Sequence, residues 1–455
     1  MDTITIIGSG LAGTLMSLYL ARRGYGVEVY EARSDPRNKP IDGGRSINLA
    51  LSCRGKTSLT EIGLLDKVEQ IIVPMRARAI HEEHGEVHFQ PFGRHEDEYI
   101  NAIMRTELNA LLLDEAEKHP SINLYFSLSL QDICFEKKEL VFSTSNNERY
   151  TTSFNRIIGA DGASSAVRDI LRDKSHLEYS RDFLPHGYKE LSITNEHGTS
   201  FTREHLHLWP RDSFMLLGNP NVDDSITGSL FLPHKGETSF KSLKTEEALE
   251  IFFKKAFPDA TDSMPSLVEE FFNHPTGNMS TINCSKWNVG QECLLIGDAA
   301  HGIIPFFGQG MNCAFEDCRV LDGLLDTYDG DWSKVAPAFY ESRKRNTEAV
   351  AAMSMDNYRE IHHDIRNKKF NLKKQVEKEI MRRYPSEYVS KHVLVMFTNT
   401  PYLECFANGQ LQERYLESIC KDKDNLEEIN WDDVSQQMKA YQKEVSNLDT
   451  TKARI

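Results

Sequence analysis

An α/β fold, α+β overall, is predicted for this 455-residue chain. It comprises a Rossmann-type dinucleotide-binding domain, an inserted antiparallel-sheet domain and a C-terminal helical region. Three observations predict it. A β-branched run, Thr3–Ile7, enters Gly8-Ser9-Gly10-Leu11-Ala12-Gly13 and then a helical spacing over residues 14–23. From His186 to about Pro233 short alternating runs, such as residues 205–209 and 229–232, are punctuated by proline. Beyond Asp331 the pattern is helical and increasingly charged.

Composition bounds the function. With 40% hydrophobic and 27% charged residues, the chain is expected to be a soluble globular protein of two or three lobes. A net charge of −15 argues against a nucleic-acid partner, which needs basic patches. No run of about 20 apolar residues is present, so no membrane span is expected. The eight cysteines, at 53, 134, 284, 293, 313, 318, 405 and 420, contain no CxxC and no adjacent histidine cluster. That spacing supports neither a zinc site nor a disulfide framework, so no metal and a reducing, cytoplasmic compartment are expected. Asn278-Met279-Ser280 and Asn283-Cys284-Ser285 match a glycosylation sequon, but no secretory signal precedes them.

The amino end carries the first chemistry. The glycines permit a tight turn, and the helix that follows presents its N-terminus to a pyrophosphate. A second strand, residues 27–30, ends in Glu31, which suits a ribose diol. Strand, glycine turn, helix, strand and acid together read as dinucleotide binding, though the glycines alone leave NAD and FAD both open. Residues 156–159 form another strand that enters Ala160-Asp161-Gly162, with Ser164 and Ser165 as N-caps for a helix. A third segment follows a strand at residues 293–296: Gly297-Asp298, then Pro305-Phe306-Phe307-Gly308-Gln309-Gly310-Met311-Asn312, opening a helix over 313–325. Its N-terminus suits the negative edge of a reduced flavin. Asp298 suits the hydroxyls of a ribityl chain.

These three segments, in this order, resemble the single-component aromatic hydroxylase flavoproteins of the para-hydroxybenzoate hydroxylase fold. The resemblance runs from about residue 2 to residue 405. It is reinforced by residues 74–81 (PMRARAIH), 186–191 (HGYKEL) and 208–211 (LWPR). It implies FAD as cofactor, held by Gly8, Gly10, Leu11, Ala12, Gly13, Glu31, Arg33, Asp161, Asp298, Gly308, Gly310, Met311 and Asn312. Arg45, within residues 43–49 (GGRSINL), would lie near the phosphates, and Arg105, opening a helix, would face the flavin. No second GxGxxG appears, which agrees with a family in which NADPH binds transiently across the FAD domain.

The resemblance also implies a substrate, L-kynurenine, and hydroxylation ortho to its amine by reduced flavin and O2 through a C4a-hydroperoxide. No strong catalytic base is required, because the aniline nitrogen activates the ring, and His301 is given no catalytic role. The substrate needs a cation, polar acceptors and an apolar slot. By motif position Arg78 is the carboxylate partner, since a guanidinium binds a carboxylate in two places. Asn357 and Tyr402 match the other polar contacts, and Phe306 and Phe307 suit the ring. Rival readings are a related hydroxylase acting on another aromatic acid, a non-oxygenating flavoprotein reductase, an Arg78–Glu82 pair, and purely packing roles for Tyr402, Phe306 and Phe307. At Gln90-Pro91-Phe92-Gly93 this chain has Phe92 where the family has tyrosine, so one hydrogen bond of about 1 kcal/mol is expected to be missing.

The expected domains are residues 1–180 (FAD-binding, with substrate-lobe strands near 72–100), 181–280 (substrate sheet and helix), 281–340 (closing FAD-binding part) and 341–455 (helical). Beyond about Gln410 the chain is polar enough to predict a loosely packed tail. Its polar end, unlike the membrane-anchored eukaryotic members of the family, predicts a soluble bacterial-type form.

Overall fold

The computed structural model describes residues 2–38, 48–194, 201–360, 367–453 and 455. The chain divides into two units, each built from three stretches: residues 1–73, 102–190 and 269–345, and residues 74–101, 191–268 and 346–455.

The first unit centres on a six-stranded sheet in the order Asn288–Val289, Cys293–Leu295, Arg156–Gly159, Thr3–Ile7, Gly26–Tyr30, Ile122–Tyr125. All neighbours run parallel except the short Asn288–Val289 edge. The central strands are apolar and β-branched because helices or loops cover both faces, so Ile4, Ile6, Ile157 and Ile158 are fully buried. The Leu11–Arg22 helix packs on the Gly310–Thr327 helix, which also packs on the Cys53–Glu61 helix. A three-stranded antiparallel sheet, Leu128–Cys134, Glu139–Thr144 and Arg149–Ser153, adds Phe142, whose ring stacks on Tyr30 at 4.6 Å.

The second unit holds strands in the order Ile226–Pro233, Met215–Pro220, His205–Pro210, Ala77–His81, Val87–Pro91. The expected antiparallel pattern holds at every junction but one. Ala77–His81 runs parallel to His205–Pro210, with Ala77 opposite His205 and Ile80 opposite Leu208. Parallel neighbours need a long connection, and here the chain returns only after building residues 102–190 of the other unit.

The expected loose tail is not found. Beyond Gln410 the Tyr402–Ile419 and Trp431–Ser446 helices close a core that includes Leu372, Val376, Ile380, Leu411, Leu416, Val434, Met438 and Tyr441. Val434, Met438 and Tyr441 recur at helical spacing among charged residues, so one narrow stripe is buried although the average is polar. The Tyr441 hydroxyl donates to Asn408 Oδ1 at 2.6 Å. Among the described residues no helix is long and apolar enough to cross a membrane.

Candidate active site

The glycine turn of the first unit is shaped by close backbone approach. Gly8 adopts φ +102°, and an added Cβ there would lie 2.6 Å from Ala160 O. A Cβ on Gly13 would lie 2.0 Å from Gly8 O. Only glycine fits either place. The Leu11–Arg22 helix begins at Gly10 without a side-chain cap, so its first N–H groups face the turn. Glu31 is buried and aims at this turn: its Oε2 accepts from the Ser9 N–H at 3.0 Å, and its Oε1 from Arg33 Nε at 2.8 Å. Burial works against its charge, but the Arg33 guanidinium holds the carboxyl below its ordinary range. Arg33 itself is largely exposed.

In the second motif the Arg156–Gly159 strand and the Ser165 N-cap are as expected. The Asp161 carboxylate turns to the next helix, accepting from the Ser165 hydroxyl and, at 3.1 Å, from the Val167 N–H. Burial pushes its pKa up against those bonds. Its backbone, not its side chain, borders the glycine turn. Arg168, absent from the expected set, braces two motifs at once. Its guanidinium donates to Ala163 O at 2.8 Å and to Ala299 O at 3.1 Å.

The third motif follows the Cys293–Leu295 strand. Within the buried run from Cys293 to His301, Asp298 alone is exposed. Gly297 makes the turn at φ +58°. The Gly310–Thr327 helix starts, like the first, without a side-chain cap. Gly308 and Gly310 flank that start, Met311 is buried, Phe307 is buried and Phe306 half-buried. Asn312 is fully buried, and its amide is spent on the backbone: Oδ1 accepts from Ser52 N at 2.9 Å, and Nδ2 donates to Ala50 O at 2.7 Å and Gly308 O at 3.0 Å. Arg105 stands exposed at the first position of the Arg105–Glu117 helix. Arg45 lies outside the described residues.

Behind the third motif is a charge cluster that sequence reasoning missed. Glu316 is bound by Arg54 at 2.7 Å and by Arg343. Asp317 accepts from Arg343 Nε at 2.7 Å, from the Gly297 N–H at 2.9 Å and from His301 Nε2 at 2.6 Å. Burial opposes charge on His301, yet the Asp317 carboxylate beside it raises the imidazole to about 10. His301, Cys313 and Asp317 offer ligand atoms within 4.8 Å of one another. His301 and Arg343 both hydrogen-bond Asp317, and Arg343 also donates to Cys313 Sγ at 3.2 Å, so this set serves as a strut for the Gly297 turn. The signal in sequence was a Glu316-Asp317 pair on the stretch from Met311 to Cys318, which is buried throughout.

In the second unit Arg78 lies in the Ala77–His81 strand, half-buried, its guanidinium 4.9 Å from the centre of the Phe92 ring. Gln90 Oε1 lies at 3.5 Å, the outer limit of a hydrogen bond. Arg78 forms no ion pair among the described residues, with Glu82 or any other carboxylate. Four residues along a strand span about 13 Å, too far for the pairing that a helix would allow. Burial pushes its pKa down to about 10, with the charge of Glu360 acting the other way. His392, whose ring is 6.3 Å from that of Phe92, is held well below its ordinary range by burial and by Arg78, Lys374 and Lys391. Asn357 is half-buried on the Trp332–Arg359 helix, and Tyr402 is fully buried at the start of its helix. Phe92 is 5% exposed, so the ring is kept although the hydroxyl is gone.

Two uncapped helix starts, a turn that excludes any Cβ and one exposed carboxylate in a buried run fit a flavin dinucleotide. The family described as FAD binding domain matches residues 1–350. Kynurenine 3-monooxygenase of Legionella pneumophila (strain Corby) is 62% identical over 98% of this chain and 100% of its own length. The enzyme of that name from Myxococcus xanthus (strain DK1622) is 41% identical over 94% of this chain and 93% of its own. Among solved structures, P. aeruginosa PqsL in complex with 2-aminobenzoylacetate has a TM-score of 0.65 at 17% identity, covering 80% of this chain and 97% of that one. The tetrameric form of 2-methyl-3-hydroxypyridine-5-carboxylic acid oxygenase has a TM-score of 0.65 at 18% identity, covering 81% and 94%. At such identities the two structures speak to the fold alone.

Proposed function

The chain belongs to the kynurenine 3-monooxygenase family of FAD-binding proteins, and from that premise we propose that it hydroxylates L-kynurenine to 3-hydroxy-L-kynurenine with NADPH and O2. The observation that carries the substrate assignment is Arg78: a half-buried guanidinium over an aromatic ring, with no carboxylate of its own among the described residues.

Bound FAD supplies the chemistry that activates oxygen. The remaining work falls to the chain. The glycine turn, with Gly10, Leu11, Ala12 and the uncapped helix behind it, receives the pyrophosphate. Glu31 takes the ribose hydroxyls, and Asp298 the ribityl chain. The Gly310–Thr327 helix start, with Gly308 and Met311, lends its N–H groups and partial positive charge to the flavin edge that becomes negative on reduction. Arg168, Asn312 and the Asp317 cluster hold these pieces in place.

Arg78 binds the substrate carboxylate in two places, and its stack on Phe92 fixes the plane of the guanidinium. Asn357 and Tyr402 serve the amino-acid end, and Phe306 and Phe307 the ring. No protein base is assigned to the oxygen transfer, because the arylamine nitrogen activates the ring carbon. The eight cysteines form no disulfide among the described residues, which suits a reducing cytoplasm. The test is anaerobic reduction by NADPH with and without L-kynurenine, followed by oxygenation. Faster flavin bleaching with kynurenine and a product one oxygen heavier are expected. Bleaching indifferent to kynurenine, with no heavier product, would overturn the assignment.

A further inference from the structure

The strand that carries Arg78 has a second face. Ala77, Ala79 and His81 point away from Arg78, and His81 begins a relay of three hydrogen bonds. Its Nδ1 is 2.8 Å from Asp259 Oδ2, and its Nε2 is 2.9 Å from His207 Nδ1. His207 Nε2 in turn is 3.1 Å from the carbonyl oxygen of Thr202. Both imidazoles are at least 95% buried. A cavity of about 350 Å³ adjoins them, walled by Ala79, Val87, Phe89 and Phe201. Its polar side chains are already engaged with one another: Asp259 also accepts from Trp209 Nε1 at 2.9 Å, and the Thr202 hydroxyl meets His205. That leaves the relay self-contained instead of poised for a ligand.

Its protons can be counted. A carbonyl oxygen only accepts, so His207 Nε2 must carry a hydrogen. Asp259 is the acceptor for His81 Nδ1–H. Two neutral imidazoles would then be spent, and lone pair would face lone pair across the 2.9 Å gap between His81 Nε2 and His207 Nδ1. Filling three gaps needs three protons, one more than two neutral rings supply. Burial pushes His207 down to about 4, which keeps it neutral. Asp259 is desolvated, but the bond from His81 holds it below its ordinary range. The count therefore places the extra proton on the His81–His207 pair, within the 2.9 Å gap between the rings.

We propose that this relay is a one-proton latch that positions Arg78. With the proton in place, His81 clamps the end of the Ala77–His81 strand to the His205–Pro210 strand and to Asp259, three residues beyond Arg78. Without it the two facing nitrogens repel and the strand end loosens. The backbone at the same place is also gripped, because Arg211 donates to the carbonyl oxygen of His81 at 3.0 Å. The charged and titratable groups around the relay are Asp259, His205 beside Glu204, Arg211, and His88 near Glu86 on the adjoining strand. Of these, Asp259 and Arg211 bond His81 directly.

The substrate arm of the test rests on the kynurenine reading above; the stability arm does not. His207→Asn places an amide where Nδ1 stood, and an amide can turn either its oxygen or its NH2 toward His81, so no extra proton is needed. KM for L-kynurenine and thermal unfolding of the FAD-loaded protein are measured from about pH 6 to about pH 9, below the range where Arg78 loses its charge. In the native protein KM is expected to rise about fivefold or more toward the alkaline end, the value of one lost hydrogen bond, while Tm falls. In His207→Asn both should be flat within about twofold in KM. Asp259→Asn removes the anion that retains the proton, so its step should move to lower pH. A native protein flat across the range, or a His207→Asn curve that tracks the native one, overturns the latch. If His207→Asn fails to hold FAD at pH 6, the Asp259→Asn midpoint decides, and an unmoved midpoint overturns it. A Tm that falls with rising pH in the native protein and stays flat in His207→Asn, with no kynurenine turnover in either, upholds the latch and removes the substrate assignment instead.

Discussion

Replacing Arg78 by alanine should uncouple substrate binding from flavin binding. The guanidinium sits over Phe92 at 4.9 Å, is half-buried, and has no carboxylate partner among the described residues. On the proposed function a kynurenine carboxylate would form a desolvated ion pair there, and deleting one partner of such a pair costs about 3–5 kcal/mol. KM should therefore rise by roughly two to three and a half decades. Arg78→Lys keeps the charge but loses the two-point fork and the planar stack, so it should recover only part of that loss. Bound FAD should be unchanged in both variants, because Arg78 belongs to the unit that lacks the glycine turn. The assay is steady-state turnover read by product mass, with flavin content measured from the absorbance of the same preparations. A KM change below about threefold at normal flavin content would remove Arg78 from the substrate site.

Three further outcomes follow from the same geometry. Burial lowers Arg78 to about 10, so its charge is present below that pH and lost above it; in His207→Asn, where the latch no longer titrates, kynurenine affinity should hold through neutral pH and fall as pH rises through about 10, read by equilibrium titration of the flavin spectrum. Phe92→Tyr, which restores a hydroxyl beside Arg78, should lower KM about fivefold, the equivalent of about 1 kcal/mol; an unchanged KM would mean that the new hydroxyl does not reach the substrate. Gly13→Ala would put a Cβ 2.0 Å from Gly8 O, so the purified protein should lose its yellow colour, and full flavin occupancy in that variant would refute the packing argument for the turn.

The parts of the fold legible in sequence were those written in consecutive residues. The Thr3–Ile7 strand, the glycine turn and the helix after it are one continuous signal, and the helix was read to within a few residues of Leu11–Arg22. Ser165 was identified as an N-cap for the same reason, and it accepts from Arg168 N at 2.9 Å. The Gly-Asp turns were legible as motifs, but not the direction in which each carboxylate points: Asp298 faces out, whereas Asp161 caps its own helix. Contacts between distant residues left no local trace. Arg54, His301, Asp317 and Arg343 converge from four separate stretches, and nothing in any one of them announces the others. The parallel pairing of Ala77–His81 with His205–Pro210 was hidden likewise, because alternation shows that a strand exists but not which neighbour it takes. In the tail, mean polarity outweighed a three-residue stripe that a helical-period count would have found.

The interleaving of the two units has a consequence for how the protein is made. The Cys293–Leu295 strand pairs with Arg156–Gly159 beside the N-terminal strand, so the parallel sheet lacks a member until the ribosome has passed residue 295. At about 5–20 residues per second that is roughly 15–60 s after initiation. Until then the apolar Arg156–Gly159 strand waits with an exposed edge, the condition under which nascent chains meet chaperones or one another. Flavin capture must come later still, since the Gly310–Thr327 helix emerges after the strand that positions it. A deletion after residue 190 would therefore yield an unfinished sheet, not a smaller flavoprotein.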